Sequence, residues 1–209
     1  MRNIDTIGGG GDLPKEDILL GLLHAVERNP AVTQRSVARE LGIALGLANT
    51  YLNRCIRKGL IKVGQIPARR YAYYLTPSGF AEKSRLTAEY LTHSFSFFRK
   101  ARGECDAIFA KALANAQRRI VLIGAGDLAE IAALVAKDHP VDIAGVLAAP
   151  PDAAALLSSA TPLKPIDAVV ITAMANAQAT FDMAVAAFGR RCVYAPELLR
   201  LRDSVPERP

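Results

Sequence analysis

Residues 34–63 read QRSVARELGIALGLANTYLNRCIRKGLIKV, and the apolar spacing in this stretch decides the fold of the first half of the chain. Val37, Ala38 and Leu41 recur at helical intervals after Thr33, a residue suited to capping a helix amino terminus. Gly42 supplies a turn. A longer helix is predicted from Ala44 to Lys58, ended by Gly59. A short helix, an elbow made of ARELG and Ile43, and a second helix are the parts of a helix-turn-helix. Ala48, Leu52 and either Cys55 or Ile56 anchor the longer helix to the core. Ala44, Leu45, Gly46, Asn49, Thr50 and Asn53 are left on its outward face. The small residues permit close approach to a DNA groove. Asn49 and Asn53, four apart, carry amides that both donate and accept toward base edges. Arg54, Arg57 and Lys58 fall where phosphates would lie.

Upstream, KEDILLGLLHAVER (15–28) sets Ile18, Leu19, Leu22, Leu23 and Val26 on one helical face, and Asn29-Pro30 stops that helix. Downstream, LIKVG (60–64) and YAYYLT (71–76) are β-prone runs flanking the turn QIPARR. This hairpin is a wing, with Arg69 and Arg70 at its tip over a DNA backbone or minor groove. Tyr71, Tyr73 and Tyr74 are expected to pack between strand and helix.

Charge is distributed to match. The net charge is +6, yet Ala31 to Gly103 holds 13 Lys and Arg against 3 Asp and Glu, whereas Ile120 to Arg200 holds 5 against 8. A polyanionic partner therefore belongs to the first half. Hydrophobic residues make up 51%, too many for a disordered chain. No apolar run approaches the ~18 residues of a membrane span. MRNIDTIGGGGD has no apolar stretch of the secretory kind and reads as a mobile lead-in. Cys55, Cys105 and Cys192 make neither a disulfide framework nor a CxxC metal pair. The expectation is a cytoplasmic protein without metal or membrane partner.

The run LG-x-x-LG-x-x-N (Leu41 to Asn49), the KGLIK exit and the LTPSG strand end, within QRSVARELGIALGLANTYLNRCIRKGLIKV and YYLTPSGFAEKSRLTAEYL, resemble the MarR-type winged-helix regulators found with exopolysaccharide gene clusters. The resemblance covers roughly residues 15–100. It implies sequence-specific binding of double-stranded DNA as a dimer, with a transcriptional outcome. Ala44 stands where a small hydroxyl residue is common in that family, and the chain extends far beyond the winged helix.

From Gly79 to about Arg118 there is no proline. Leu91, Phe95, Phe98, Arg102, Cys105 and Phe109 follow a 4-3-4-3-4 spacing, that of a two-helix seam. A dimerisation helix that spaces two winged helices over two half-sites is expected, with Arg102 and Gly103 marking a bend.

The second half alternates strand and helix. RRIVLIG (118–124), VDIAGVL (141–147), DAVVITA (167–173) and RRCVYAP (190–196) read as strands. GDLAEIAALVAKD and ANAQATFDMAVAAFG read as helices, with a further short helix near 152–159. Apolar strands of this kind make a parallel sheet covered on both faces. The turn after the first strand is Gly124-Ala-Gly126-Asp-Leu-Ala129, a G-x-G-x-x-A pattern between strand and helix. It offers bare backbone and a helix amino terminus to a phosphate. Asp127 sits where the phosphate would approach, or else caps its own helix. The end of the second strand, Val146 to Pro150, lacks the acid that grips a ribose, which disfavours NAD. His139, beside Pro140, reads as a surface residue, and no nucleophile–base pair is evident, so an enzyme is not expected.

RIVLIGAGDLAEIAALVA, VDIAGVLA and DAVVITA resemble the small Rossmann-like amino-terminal domain of nucleotide-sugar-modifying acetyltransferases of polysaccharide pathways, over about residues 118–197. The resemblance implies that Gly124, Ala125, Gly126 and Asp127 line a nucleotide-sugar pocket. A sheet of this type opens its cleft at the strand carboxyl ends, here Gly124 to Leu128, Ala148 to Asp152 and Thr172 to Ala175, which adds Leu128, Ala148, Thr172 and Ala173. The order of the domains also resembles that of redox-sensing repressors that read NADH.

The expected organisation is a flexible amino terminus (1–12), an α+β winged helix-turn-helix domain (13–78), a connecting and dimerisation helix (79–117), a small α/β Rossmann-like parallel sheet that binds a ligand (118–200) and a tail (201–209). The expected function is that of a dimeric DNA-binding transcriptional regulator. Its effector is a nucleotide or nucleotide sugar, and its targets are polysaccharide or envelope genes. The alternatives are a nucleotide-sugar-processing enzyme with an accessory DNA-binding module, or a redox sensor reading NAD(H).

Overall fold

The computed structural model describes residues 15–66, 70–148 and 166–202. The chain divides into two compact units, Met1–Ser94 and Phe95–Pro209. The expected lead-in, the tip residue Arg69, the short helix near 152–159 and most of the tail lie outside the described residues.

In the first unit, α1 (Lys15–Arg28), α2 (Gln34–Glu40) and α3 (Leu45–Arg57) are followed by the antiparallel hairpin β1 (Ile61–Ile66) and β2 (Arg70–Leu75), and then by α4 (Pro77–Ala114). Thr33 caps α2 as its sequence predicts. Its hydroxyl accepts the Ser36 N–H at 3.1 Å, while Ser36 Oγ accepts the Thr33 N–H at 2.9 Å. The two exchange orphan donors in a capping box. The core joins Leu22, Leu23 and Val26 of α1, Val37 of α2, Leu52 and Cys55 of α3, Ile61 of β1, Tyr73 of β2 and Leu86 of α4. The open choice between Cys55 and Ile56 falls to Cys55, which is 1% exposed. Thr76 explains the LTPSG stretch. Its hydroxyl accepts the Gly79 N–H at 3.0 Å and donates to Gly59 O at 2.6 Å. It thereby caps α4 ahead of Pro77 and ties the helix to the end of α3.

In the second unit, the carboxyl-terminal part of α4 precedes β3 (Arg119–Ile123), α5 (Asp127–Ala136), β4 (Asp142–Leu147), β5 (Ala168–Ile171), α6 (Ala177–Phe188) and β6 (Val193–Tyr194). All four strands are parallel, in the order β4-β3-β5-β6. The fourth strand is shorter than the sequence suggests, because residues 190–192 form a 3₁₀ turn. Alternation along the buried strands assigns the two faces. Ile120, Leu122, Ala168 and Val170 pack with α5 and with Cys105, Phe109 and Ala112 of α4. Val121, Ile123, Val169 and Ile171 pack with Phe181, Ala184 and Val185 of α6. The second unit is thus a small Rossmann-like α/β layer structure, and the first is a winged helix.

The expected seam on α4 needs correction. Cys105 and Phe109 are fully buried in the core of their own sheet, and Phe98 packs against it. Of the seam residues, Leu91 (45% exposed), Phe95 (58%) and, further along, Arg102 face outward, and of these Leu91 and Phe95 are apolar. The burial has a physical reason: an α/β sheet must cover both faces, and α4 supplies the cover that α5 leaves incomplete. α4 is one helix through Gly103, with no break there.

Candidate nucleic-acid interface and ligand cleft

The outward face of α3 is assembled from its amino-terminal end. Ala44 is the N-cap, in extended conformation, and makes no side-chain capping bond. Leu45, Gly46, Thr50 and Asn53 are exposed and Asn49 is half-buried. The Thr50 hydroxyl is turned back onto its own helix, donating to Gly46 O at 2.8 Å. Asn53 Nδ2 donates to Asn49 Oδ1 at 2.9 Å. This bond orients both amides, leaving a donor on Asn49 and an acceptor on Asn53 directed away from the pair.

The cations differ from their neighbours in how they are used. On α1 and α4, Arg28 pairs with Glu40, Lys83 with Glu27, and Arg85 with Glu82 at 2.9 Å and Glu89 at 2.6 Å. Arg54, Arg57 and Lys58 are exposed and, among the described residues, take part in no ion pair. A positive surface without internal partners is suited to phosphates. In the wing, Arg70 opens β2. The expectation that all three wing tyrosines pack inward holds for Tyr73, 9% exposed, and fails for Tyr71 and Tyr74, which are 59% and 48% exposed. Register explains Tyr74: it stands opposite the exposed Lys62, and its ring lies against Gly64, where a side chain would otherwise stand.

In the second unit the glycine turn lies at a switch point. β3 is followed by α5 on one face and leads to β4, while β5 is followed by α6 on the other face and leads to β6. The connections diverge between the carboxyl ends of β3 and β5, the position at which open α/β sheets hold ligands. Gly124 (φ +120°) extends the sheet: its N–H donates to Leu147 O at 2.8 Å. Thr172 Oγ1 donates to Gly124 O at 2.7 Å, and the Thr172 and Ala173 N–H groups both reach Ile123 O. Gly126 (φ +128°, ψ −168°) is the N-cap of α5 in a backbone region almost confined to glycine.

The residues named from the sequence now separate. Ala125, Gly126, Asp127 and Ala148 are exposed at this end of the sheet. Leu128, Thr172 and Ala173 are 0%, 1% and 3% exposed, so they are packed beneath the turn and do not face a ligand. Met174, within the stretch expected at the strand end, is exposed just beyond β5. Asp127 does not cap its helix. His139 is not a free surface residue: its Nε2 lies 2.9 Å from Asp106 Oδ1 and its ring leans on Phe109. Among the described residues no group of three or more His, Cys, Asp or Glu side chains is placed to hold a metal, and no helix is long and apolar enough to cross a membrane.

Residues 15–62 match the family profile described as winged helix-turn-helix DNA-binding. No curated protein matches the chain. Among solved structures, the chain is similar to the PcaV transcriptional regulator from Streptomyces coelicolor, at 22% identity over 47% of this chain and 74% of that one, with a TM-score of 0.38. It is similar to MepR, a transcription regulator of the Staphylococcus aureus multidrug efflux pump MepA, at 23% identity over 51% and 82%, with a TM-score of 0.36. A third similarity is to Streptococcus pneumoniae FabT in complex with DNA, at 23% identity over 50% and 73%, with a TM-score of 0.36.

Proposed function

We propose that the chain is a dimeric, sequence-specific DNA-binding transcriptional regulator of the MarR type, whose Rossmann-like unit senses a nucleotide or nucleotide sugar. The observation that carries the reading is the exposed face of α3, where the oriented Asn49–Asn53 pair adjoins Arg54, Arg57 and Lys58, cations with no ion pair among the described residues. α3 enters the major groove, and the wing, with Arg69 and Arg70, follows the backbone. The match of residues 15–62 to a DNA-binding winged-helix profile supports this part.

Dimerisation uses the face of α4 that is not spent on the sheet, Leu91 and Phe95, with Tyr90 beside them. The effector lies across Ala125, Gly126 and Asp127 at the switch point. Asp127 and Glu130, both in the first turn of α5, oppose a bare phosphate there. A ligand with sugar hydroxyls for the Asp127 carboxylate suits the turn better, which agrees with a role in polysaccharide or envelope gene control. The test is retention of duplex DNA from the chain's own promoter region at low ionic strength. Release by a nucleotide sugar supports the sensor. A chain that ignores that DNA is not the proposed regulator.

A further inference from the structure

Apart from the glycine turn, the second unit carries a cavity of about 830 Å³ between the carboxyl-terminal part of α4 and the β6 edge of the sheet. That volume is of the size that holds metabolites. Its floor is a closed polar network. The Tyr194 hydroxyl accepts from Asn115 Nδ2 at 2.9 Å and donates to Gln117 Oε1 at 2.5 Å, and Gln117 Nε2 reaches Arg191 O at 3.3 Å. These side chains hold one another and fix the end of α4 against β6.

The charges around that floor are not balanced. Glu104 is committed, accepting the Leu198 N–H at 2.9 Å and facing Lys100 at 3.7 Å. Arg190 is committed as well, with its guanidinium over the Phe181 ring and NH1 donating to Val193 O at 3.0 Å. Lys111 and Arg191 also line the cavity, and both side chains are exposed and without an ion-pair partner among the described residues. Ile108, Val193 and Pro196 add an apolar wall. With Glu197 included, the lining still has more cations than carboxylates.

We propose that this groove is a binding site for a small organic anion. Lys111 and Arg191 hold its anionic head, and its apolar body lies against Ile108, Val193 and Pro196. An anion without a body would leave the apolar wall in water, and a neutral body would leave two cations unanswered. The site is separate from the glycine turn, and the proposal does not depend on the effector assigned there.

The test uses the full chain, isotopically labelled, titrated with phenyl phosphate while backbone amide resonances are followed. Inorganic phosphate and phenol serve as the charge-only and body-only arms. Saturable shifts are expected at Lys111, Val193, Tyr194 and Glu197, with phenyl phosphate binding about tenfold more tightly than either fragment. Lys111→Glu with Arg191→Glu is expected to weaken it by about tenfold or more, and Gly126→Ala to leave it unchanged. Both cations are exposed, so folding is not at stake, and Lys111→Gln with Arg191→Gln gives a second, milder reading of the same loss. Phenol binding as well as phenyl phosphate would overturn the proposal. So would binding that survives both double variants, or shifts confined to residues 124–127.

Discussion

Thr172 closes the glycine turn onto the neighbouring strand: its hydroxyl donates to the carbonyl oxygen of Gly124 at 2.7 Å. The two residues end adjacent strands, and the bond is fully buried. A Cβ at Gly124 would stand 2.1 Å from Ala173 N. At Gly126 a Cβ would meet nothing within 4 Å, so only its left-handed backbone resists substitution. Gly124→Ala is therefore expected to cost at least about 3 kcal/mol, and Gly126→Ala about 1–3 kcal/mol. Denaturant unfolding of both variants checks the order. Equal losses would mean that the turn is not built as described.

Asp167 stands just before β5 and accepts the Arg119 and Arg118 N–H groups at 2.8 and 2.9 Å. The Arg119 N–H bond, then the Arg118 one, holds its carboxyl below the usual value of 3.8. A depressed folded-state value means that the charged form supports the fold. That support is complete above the unfolded value and fades as pH falls through the folded one. Asp167→Asn is expected to lower stability at pH 7 and to flatten the loss of stability below about pH 4. Thermal melts from pH 7 to pH 2 provide the measurement.

Ala44 begins α3 with no side-chain partner for the first N–H groups, while Thr33 serves that purpose for α2. Ala44→Ser is expected to stabilise the winged helix by about 0.5–1 kcal/mol, read as a rise in denaturation midpoint at unchanged slope.

The three helices of the winged unit and the Thr33 cap are legible in the sequence because their apolar residues face one core at helical period. α1 spans Lys15–Arg28 as read. The strands of the second half are legible as unbroken apolar runs. Strand order is not, since residues such as Val121 and Val169 carry no mark of their neighbour, and the switch point between β3 and β5 emerges only from pairing. The α4 seam misleads for a related reason: a 4-3 spacing looks the same whether Phe109 meets another chain or its own sheet. Leu128 and Thr172 fall near the right turn, yet a residue's place in a motif does not reveal which way its side chain is buried.

The two ends of that seam make opposite predictions. Leu91→Glu with Phe95→Glu is expected to lower the dimer fraction in sedimentation with little change in stability. Phe109→Ala is expected to cost about 3–5 kcal/mol without that selective effect. Burial pushes the Cys105 and Cys55 thiols up to about 11, so neither is expected to be alkylated in the native state, whereas the part-exposed Cys192 is. An oxidative Cys105–Cys105 cross-link between native chains would contradict this placement.

The sharpest prediction concerns α3. Asn53 Nδ2 bonded to Asn49 Oδ1 fixes the direction of both amides, so removing either frees the other to rotate. Asn49→Ala and Asn53→Ala are each expected to cost about 1–3 kcal/mol of discrimination between operator and mismatched duplex, with non-specific affinity nearly unchanged. The double variant should lose less than the sum, because the first removal already spoils the geometry of the second. Arg54→Ala and Arg57→Ala should instead weaken every duplex alike and reduce the slope of log affinity against log salt by about one each. Fluorescence anisotropy with specific and scrambled duplexes over a salt series separates the two behaviours. If both asparagine variants keep full operator preference, α3 does not read bases through this pair.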